Sequence, residues 1–189
     1  MYHRAVRSKV HAVFSRLNSG DATLMLSSLA PAFEYRFLGE HALAGRRTEL
    51  RTMRQWWDRL FRLLPGARFV IDDILVNGPP WHTRVALSAH VSGVLPNGQR
   101  YENRMMQRML LRWGRVVSIE TLENLQLLER ALWVVAAAGN SEAIAPPLED
   151  GPPLAADSAA PSAGSATRSA GSAARSAPLG ARRQPPGAP

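Results

Sequence analysis

The stretch "LPNGQRYENRMMQRMLLRWGRVVSIETLEN", residues 95–124, holds two strands and two turns, and the turns decide which side chains face inward. A one-residue slip in a hairpin carries every side chain to the opposite face. In Leu95-Pro96-Asn97-Gly98-Gln99, proline is preset for the first central position of a type I turn and asparagine suits the second. Glycine then accepts the left-handed residue, which predicts a three-residue loop with a glycine bulge. Leu95 pairs with Gln99 in that register, and counting back sets Val91 opposite Asn103, Ala89 opposite Met105, Leu87 opposite Gln107 and Val85 opposite Met109. The two-residue alternative would bury Arg104 and Arg108 among valines, and burying unpaired charge is the costlier error.

The second turn, "RWGR", is read the same way. A two-residue loop would force Trp113 to positive φ, which a bulky side chain resists, so a three-residue loop Arg112-Trp113-Gly114 is expected. Gln107 then pairs with Ile119 and Asn103 with Glu123, while Glu120 turns outward. Both faces of "VVSIETLE" are mixed, so the choice between Glu120 and Glu123 as the inward acid stays open at this stage.

Upstream, Val6, Val10, Val13, Phe14 and Leu17 recur at helical spacing. A short helix, "ATLMLSSLA", follows Asp21 as N-cap, and "AFEYRFL" alternates as a half-buried strand with Phe33, Tyr35 and Phe37 on one face. "TELRTMRQWWDRLFRLLP" is amphipathic, capped by Thr48, with Leu50, Met53, Trp57, Leu60 and Leu64 as its apolar stripe and Trp56 toward the edge. Strands run from Pro65-Gly66 to residue 123, and "NLQLLERALWVVAAAG" closes the domain as a helix. Helices gathered on one side of an antiparallel meander make an α+β domain. From Gly139 onward Ala, Ser, Pro and Gly dominate and aromatic residues are absent, so residues 1–138 are read as the domain and 139–189 as a disordered tail.

The net charge is +8, carried by arginine, with Lys9 the only lysine. The arginines are scattered rather than clustered on one face, so no nucleic-acid partner is expected. Cysteine is absent, no apolar leader core is present, and the run "ALWVVAAA" is too short to span a bilayer. A cytoplasmic protein without a membrane partner is expected. No histidine cluster has metal-ligand spacing and no glycine-rich loop has phosphate-binding form, so no cofactor or metal is expected. Tyr35, Phe37, Trp57, Asn103, Met105, Gln107, Met109 and Glu123 then converge on an inner surface of the kind that holds a small molecule. The alternative is a filled core in which the amides of Asn103 and Gln107 bond to their neighbours.

Element order, with "LNSGDATLMLSSLAPAFEYRF", "HALAGRRTELRTMRQWWDRLF" and "LPNGQRYENRMMQRMLLRWGRVVSIETLENLQLLERAL", resembles the nuclear transport factor 2-like superfamily, in particular its SnoaL-like, polyketide-cyclase-related branch. The resemblance implies a strongly curved sheet wrapped around helices, with an apolar pocket at the open end. Asn103 matches the family's strand asparagine, and the family's terminal acid aligns near Asn124, with Glu123 beside it. An isomerase-like reaction needs a carboxylate base and a donor to a developing oxyanion. Glu123 and Tyr35 are the candidates for those two roles. Trp57, Phe37, Asn103, Met105, Gln107 and Met109 are the candidates for ligand contact.

Two functions follow. One is a pocket domain that binds or transforms an apolar, oxygen-bearing compound, with catalysis left open. The other is a non-catalytic interaction module working through the outer sheet face of Arg100, Glu102, Arg104, Met106, Arg108, Leu110 and Arg112. In the resembled superfamily that face often forms a two-fold dimer, so a homodimer is expected.

Overall fold

Every element expected from periodicity forms, and one short strand is added. The computed structural model describes residues 1–150. Helix α1 (Tyr2–Leu17) and short α2 (Thr23–Ser28) precede β1 (Leu29–Phe37), β2 (Gly45–Arg47) and α3 (Leu50–Leu63). Strands β3 (Arg68–Asn77), β4 (Thr83–Val94), β5 (Arg100–Arg112) and β6 (Arg115–Glu123) follow, then α4 (Leu125–Ala137) and a 3-10 turn at Ser141–Ile144. The six strands form one curled sheet in the order β2-β1-β6-β5-β4-β3. All neighbours are antiparallel except β1 and β6. That parallel pair is possible because everything from β2 to β5 serves as the crossover between them. Among the described residues no helix is long and apolar enough to cross a membrane.

The β4–β5 register is the one the turn chemistry predicts. Val91 faces Asn103, Ala89 faces Met105, Leu87 faces Gln107 and Val85 faces Met109. Leu95 N–H donates to the Gln99 carbonyl at 2.8 Å, and Gly98 takes φ 81°. The next hairpin differs from expectation. Its loop is Trp113-Gly114, Arg112 pairs with Arg115, and Trp113 does adopt φ 53°. The Trp113 N–H donates to the Pro80 carbonyl at 2.7 Å and its ring lies against Trp81, so tertiary contacts hold the unfavourable conformation. A bulge between Leu110 and Leu111 then shifts the pairing by one residue. Met109 meets Ile119, Gln107 meets Thr121 and Met105 meets Glu123. Two departures cancel in parity, so Glu123 still belongs to the inner face and Glu120 to the outer one.

Helix α3 also corrects the expectation in detail. Its N-cap is Glu49 rather than Thr48, and Leu50 is exposed. Trp56, expected at the edge, is 1 % exposed and donates its indole N–H to the Leu43 carbonyl at 2.8 Å. The segment 40–48 folds over this face of the helix, which helical periodicity could not reveal. Asp72 and Asp73 are both exposed beside a bulge in β3.

The domain boundary moves as well. Residues 139–150, expected in the tail, pack on the domain. Ala143 is buried, Glu142 pairs with Arg62 at 2.7 Å and with Arg59 at 3.4 Å, and Glu149 accepts from the Arg46 N–H. Asp150 accepts from the Thr48 hydroxyl at 2.7 Å and from the Thr48 and Glu49 N–H groups, so it fixes the residues that lead into α3 and sets a negative charge near its amino end. Composition weighs apolar burial and missed this segment because charge pairing and hydrogen bonds hold it. The rest of the expected tail, 151–189, lies outside the described residues.

Candidate functional site

Helices α1 and α3 lie across the inner face of β1, β5 and β6 and leave a cavity of about 200 Å³ between them. Its walls are mostly apolar. Val10 and Phe14 come from α1, Trp57 and Leu60 from α3, Met105 and Met109 from β5, and Ile119 from β6. Polar side chains join them, among them Tyr35, Gln107, Thr121 and Glu123. Exposed Ala5 and Lys9 and half-buried Gly114 also border the space, which places its mouth between α1 and the β5–β6 turn. Lys9 Nζ reaches across that mouth to the Gly114 carbonyl at 3.2 Å.

Strand alternation sets Tyr101, Asn103 and Glu123 close together at the ends of β5 and β6. The Tyr101 hydroxyl donates to Glu123 Oε2 at 2.9 Å, and Asn103 Nδ2 donates to the same oxygen at 3.1 Å. Asn103 is fully committed. Its Nδ2 also reaches the Tyr101 hydroxyl and the Asn124 carbonyl, and its Oδ1 accepts from the Arg104 and Asn124 N–H groups. It fixes the carboxylate and ties the end of β6 to β5. Burial pushes the Glu123 carboxyl up to about 7, with the bonds from Tyr101 and Asn103 pulling the other way. A carboxyl poised at that value can take or give a proton at neutral pH.

A second polar chain lines the same wall. Gln107 Nε2 donates to Thr121 Oγ1 at 2.8 Å, and the Thr121 side chain bonds with the Tyr35 phenol. Burial pushes Tyr35 up to about 12, so it stays a neutral hydroxyl able to donate. Behind it, Arg47 is wholly buried with its guanidinium 5.6 Å from the Tyr35 ring centre and 5.0 Å from that of Trp56. Arg47 donates to the Leu43, Ala44 and Gly45 carbonyls, and burial lowers its pKa to about 10. The Trp57 indole N–H has no hydrogen-bond partner among the described residues. Those residues contain no group of three or more histidine or acidic side chains that could hold a metal.

Of the candidates read from sequence, Tyr35, Phe37, Trp57, Met105, Gln107, Met109 and Glu123 line the cavity. Asn103 stands behind the wall and acts through Glu123. Sequence reasoning missed Tyr101, Thr121, Trp56 and Arg47. Tyr101 and Thr121 were within reach, since each lies two residues from an inward position on its own strand. Trp56 and Arg47 carried no such signal, because an irregular segment brings them in.

The model of the SnoaL-like domain matches residues 10–119. The chain belongs to the SnoaL-like domain family. Glu123 lies just beyond the matched segment. Among solved structures, IdmH of Streptomyces antibioticus, assigned as a polyketide cyclase, is similar at 18% identity and a TM-score of 0.57. That likeness covers 68% of this chain and 98% of IdmH. PrhC of Penicillium brasilianum is similar at 16% identity and a TM-score of 0.60, over 70% of this chain and 89% of PrhC. TerC, crystallised with polyporic acid, is similar at 15% identity and a TM-score of 0.58, over 67% of this chain and 96% of TerC. At these identities the likeness establishes the fold alone. No curated protein matches the sequence. Family and fold together mark the chain as a domain that binds or transforms a small molecule.

Proposed function

We propose that the cavity binds an apolar ring compound bearing a carbonyl or hydroxyl group, and that Glu123 moves a proton on it. The observation carrying this reading is a carboxyl raised to about 7 in the wall of an apolar cavity, with one oxygen held by Tyr101 and Asn103. Oε1 receives no hydrogen bond from a described residue and is the atom that would meet the substrate. Tyr35 is the donor to the substrate oxygen, kept neutral by its burial. A proton drawn from the carbon beside a carbonyl would leave negative charge on that oxygen, which Tyr35 stabilises. Phe37, Trp57, Met105, Gln107 and Met109 shape the ligand.

Volume limits the ligand. An engineered cavity of about 150 Å³ accepts benzene, so about 200 Å³ suits one or two rings and not four. The test is a thermal-shift panel of mono- and bicyclic ketones and phenols, followed by proton exchange of the best ligand in deuterium oxide. A ligand at a hundredfold excess over its dissociation constant adds about 3 kcal/mol. Glu123→Gln should keep that shift and lose the exchange. A panel that shifts nothing sinks the binding reading, and full exchange in the variant sinks the acid–base reading.

Support for a second role lies on the outer sheet face. Met106 is 63 % exposed and stands across from Leu122, itself 41 % exposed. Around them Arg108 pairs with Glu120 at 3.3 Å and His90 with Asp72 at 3.0 Å. An apolar centre with a charge-paired rim suits a two-fold homodimer, and such a dimer could also serve an interaction module without chemistry. Met106→Asp with Leu122→Asp should give a folded monomer by light scattering. A wild-type domain already monomeric at high micromolar concentration rules the dimer out.

A further inference from the structure

Two of the largest apolar side chains in the molecule stand in water at one end of the fold. Trp81, in the β3–β4 turn, is 56 % exposed, and Trp113, in the β5–β6 turn, is 72 % exposed. Their ring centres are 6.0 Å apart and tilted by 45°. Trp113 reaches this place at φ 53°, a left-handed conformation that crowds the Cβ of an L residue. Folding gains little in return from a ring left mostly in solvent. Strain of this kind in an exposed aromatic residue points to a use outside the fold itself.

The surroundings carry one sign of charge. Residues 1–9, 77–87 and 108–116, which build this end, contain no aspartate or glutamate. They present Arg4, Lys9, Arg112 and Arg115, all exposed and none in an ion pair with a described residue. Helix α1 is tied to this end by His3, bonded to the Gly78 carbonyl, and by Tyr2, bonded to Thr83. Gly114, the neighbour of Trp113, borders the cavity mouth together with Lys9. Tryptophan tips, an acid-free basic rim and an apolar cavity opening between them occupy the same end of the domain.

We propose that this end docks on an anionic membrane surface, with Trp81 and Trp113 at the headgroup level and the cavity mouth turned toward the lipid. Tryptophan favours the membrane–water boundary, and basic residues are attracted to an anionic surface. An apolar ligand dissolved in the bilayer would then reach the cavity without crossing water. A second copy of the chain fits this end poorly, since a two-fold contact would bring like charges together. Nucleic acid fits less well than lipid, because the two rings touch each other. A base held between them would need parallel rings about 7 Å apart. The docking is independent of any chemistry at Glu123, and its test uses no ligand.

The experiment is co-sedimentation of the full chain with vesicles of phosphatidylcholine alone or with about one third phosphatidylglycerol, at low and high salt. Binding should be at least about tenfold stronger to the anionic vesicles and weaken with salt. Trp81→Ser with Trp113→Ser should reduce binding about tenfold or more while the thermal midpoint holds, since both rings are exposed. Lipids brominated in the upper acyl chain should quench wild-type fluorescence and not the emission left in that variant. Absence of anionic-vesicle binding at low salt, or equal binding by the variant, overturns the proposal. Tight binding of single-stranded DNA without vesicle binding overturns it too and makes nucleic acid the occupant.

Discussion

Tyr101 and Glu123 meet across neighbouring strands, the phenol donating to carboxylate Oε2 at 2.9 Å. Burial raises the Glu123 pKa, and this bond opposes the rise because it favours the charged form. Tyr101→Phe removes the donor and keeps the ring. The Glu123 pKa should therefore move above about 7, by roughly half to one unit. Carboxylate carbon-13 shifts followed against pH measure it. An unchanged or lower value means that the phenol does not stabilise the carboxylate.

The same carboxyl should leave a signature in stability. Its pKa is about 7 folded against an ordinary 4.5, so the sign follows directly. Below the ordinary value both states are protonated and nothing is contributed. As pH rises from 4.5 to 7 the unfolded chain ionises first, and stability falls until it levels off. A gap of this size is worth at most about 3 kcal/mol, and less here because the carboxyl keeps some contact with water. Glu123→Gln should thus be more stable than wild type by about 2 kcal/mol at pH 8 and equal to it near pH 4. Urea midpoints at the two pH values decide it, and parallel curves for the two proteins would sink the idea.

Much of this site was legible because strand alternation is strict. Pro96, Asn97 and Gly98 declare their turn, and from it the inward set of β4 and β5 follows by counting. The β5–β6 turn was misread, since local sterics argue against Trp113 at positive φ and only the distant Pro80 and Trp81 stabilise it. The error left the faces intact because the bulge restored parity. Arg47 illustrates what periodicity cannot reach. It sits on a three-residue strand after an irregular loop, and its solvation comes from backbone carbonyls and two aromatic rings. The carboxylate that Asp150 sets against Thr48 is equally non-local, supplied by residues whose composition reads as linker.

Trp113 offers a test that separates stability from use. Asparagine visits the left-handed region far more readily than tryptophan, so Trp113→Asn should relieve about 1 kcal/mol of strain. Losing the Trp81 ring contact returns about half of that. The variant should match or slightly exceed wild type in chemical denaturation and bind anionic vesicles more weakly. A clear loss of stability would mean that the exposed ring contributes to the fold after all.

The last prediction concerns residues 139–150. Truncation after Ala138 removes the Asp150 carboxylate from beside the amino end of α3, where a negative charge is worth up to about 1 kcal/mol. It also removes Glu142 from Arg59, a side chain only 8 % exposed that also donates to the Pro146 carbonyl. A buried guanidinium deprived of its partners costs more than a surface pair does. Loss of buried Ala143 adds to this, and together about 2–4 kcal/mol should go. The stabilisation has an acid limit. Hydrogen bonding from Arg62 lowers the Glu142 pKa, so its share is present above the ordinary carboxylate value and fades as pH falls through the lowered one. A chain ending at residue 154 should melt with wild type, whereas one ending at 138 should melt well below it at pH 7, with a gap that narrows in acid. If both truncations melt within about 2 °C of the full chain, the packed segment contributes nothing to stability and the domain ends at α4.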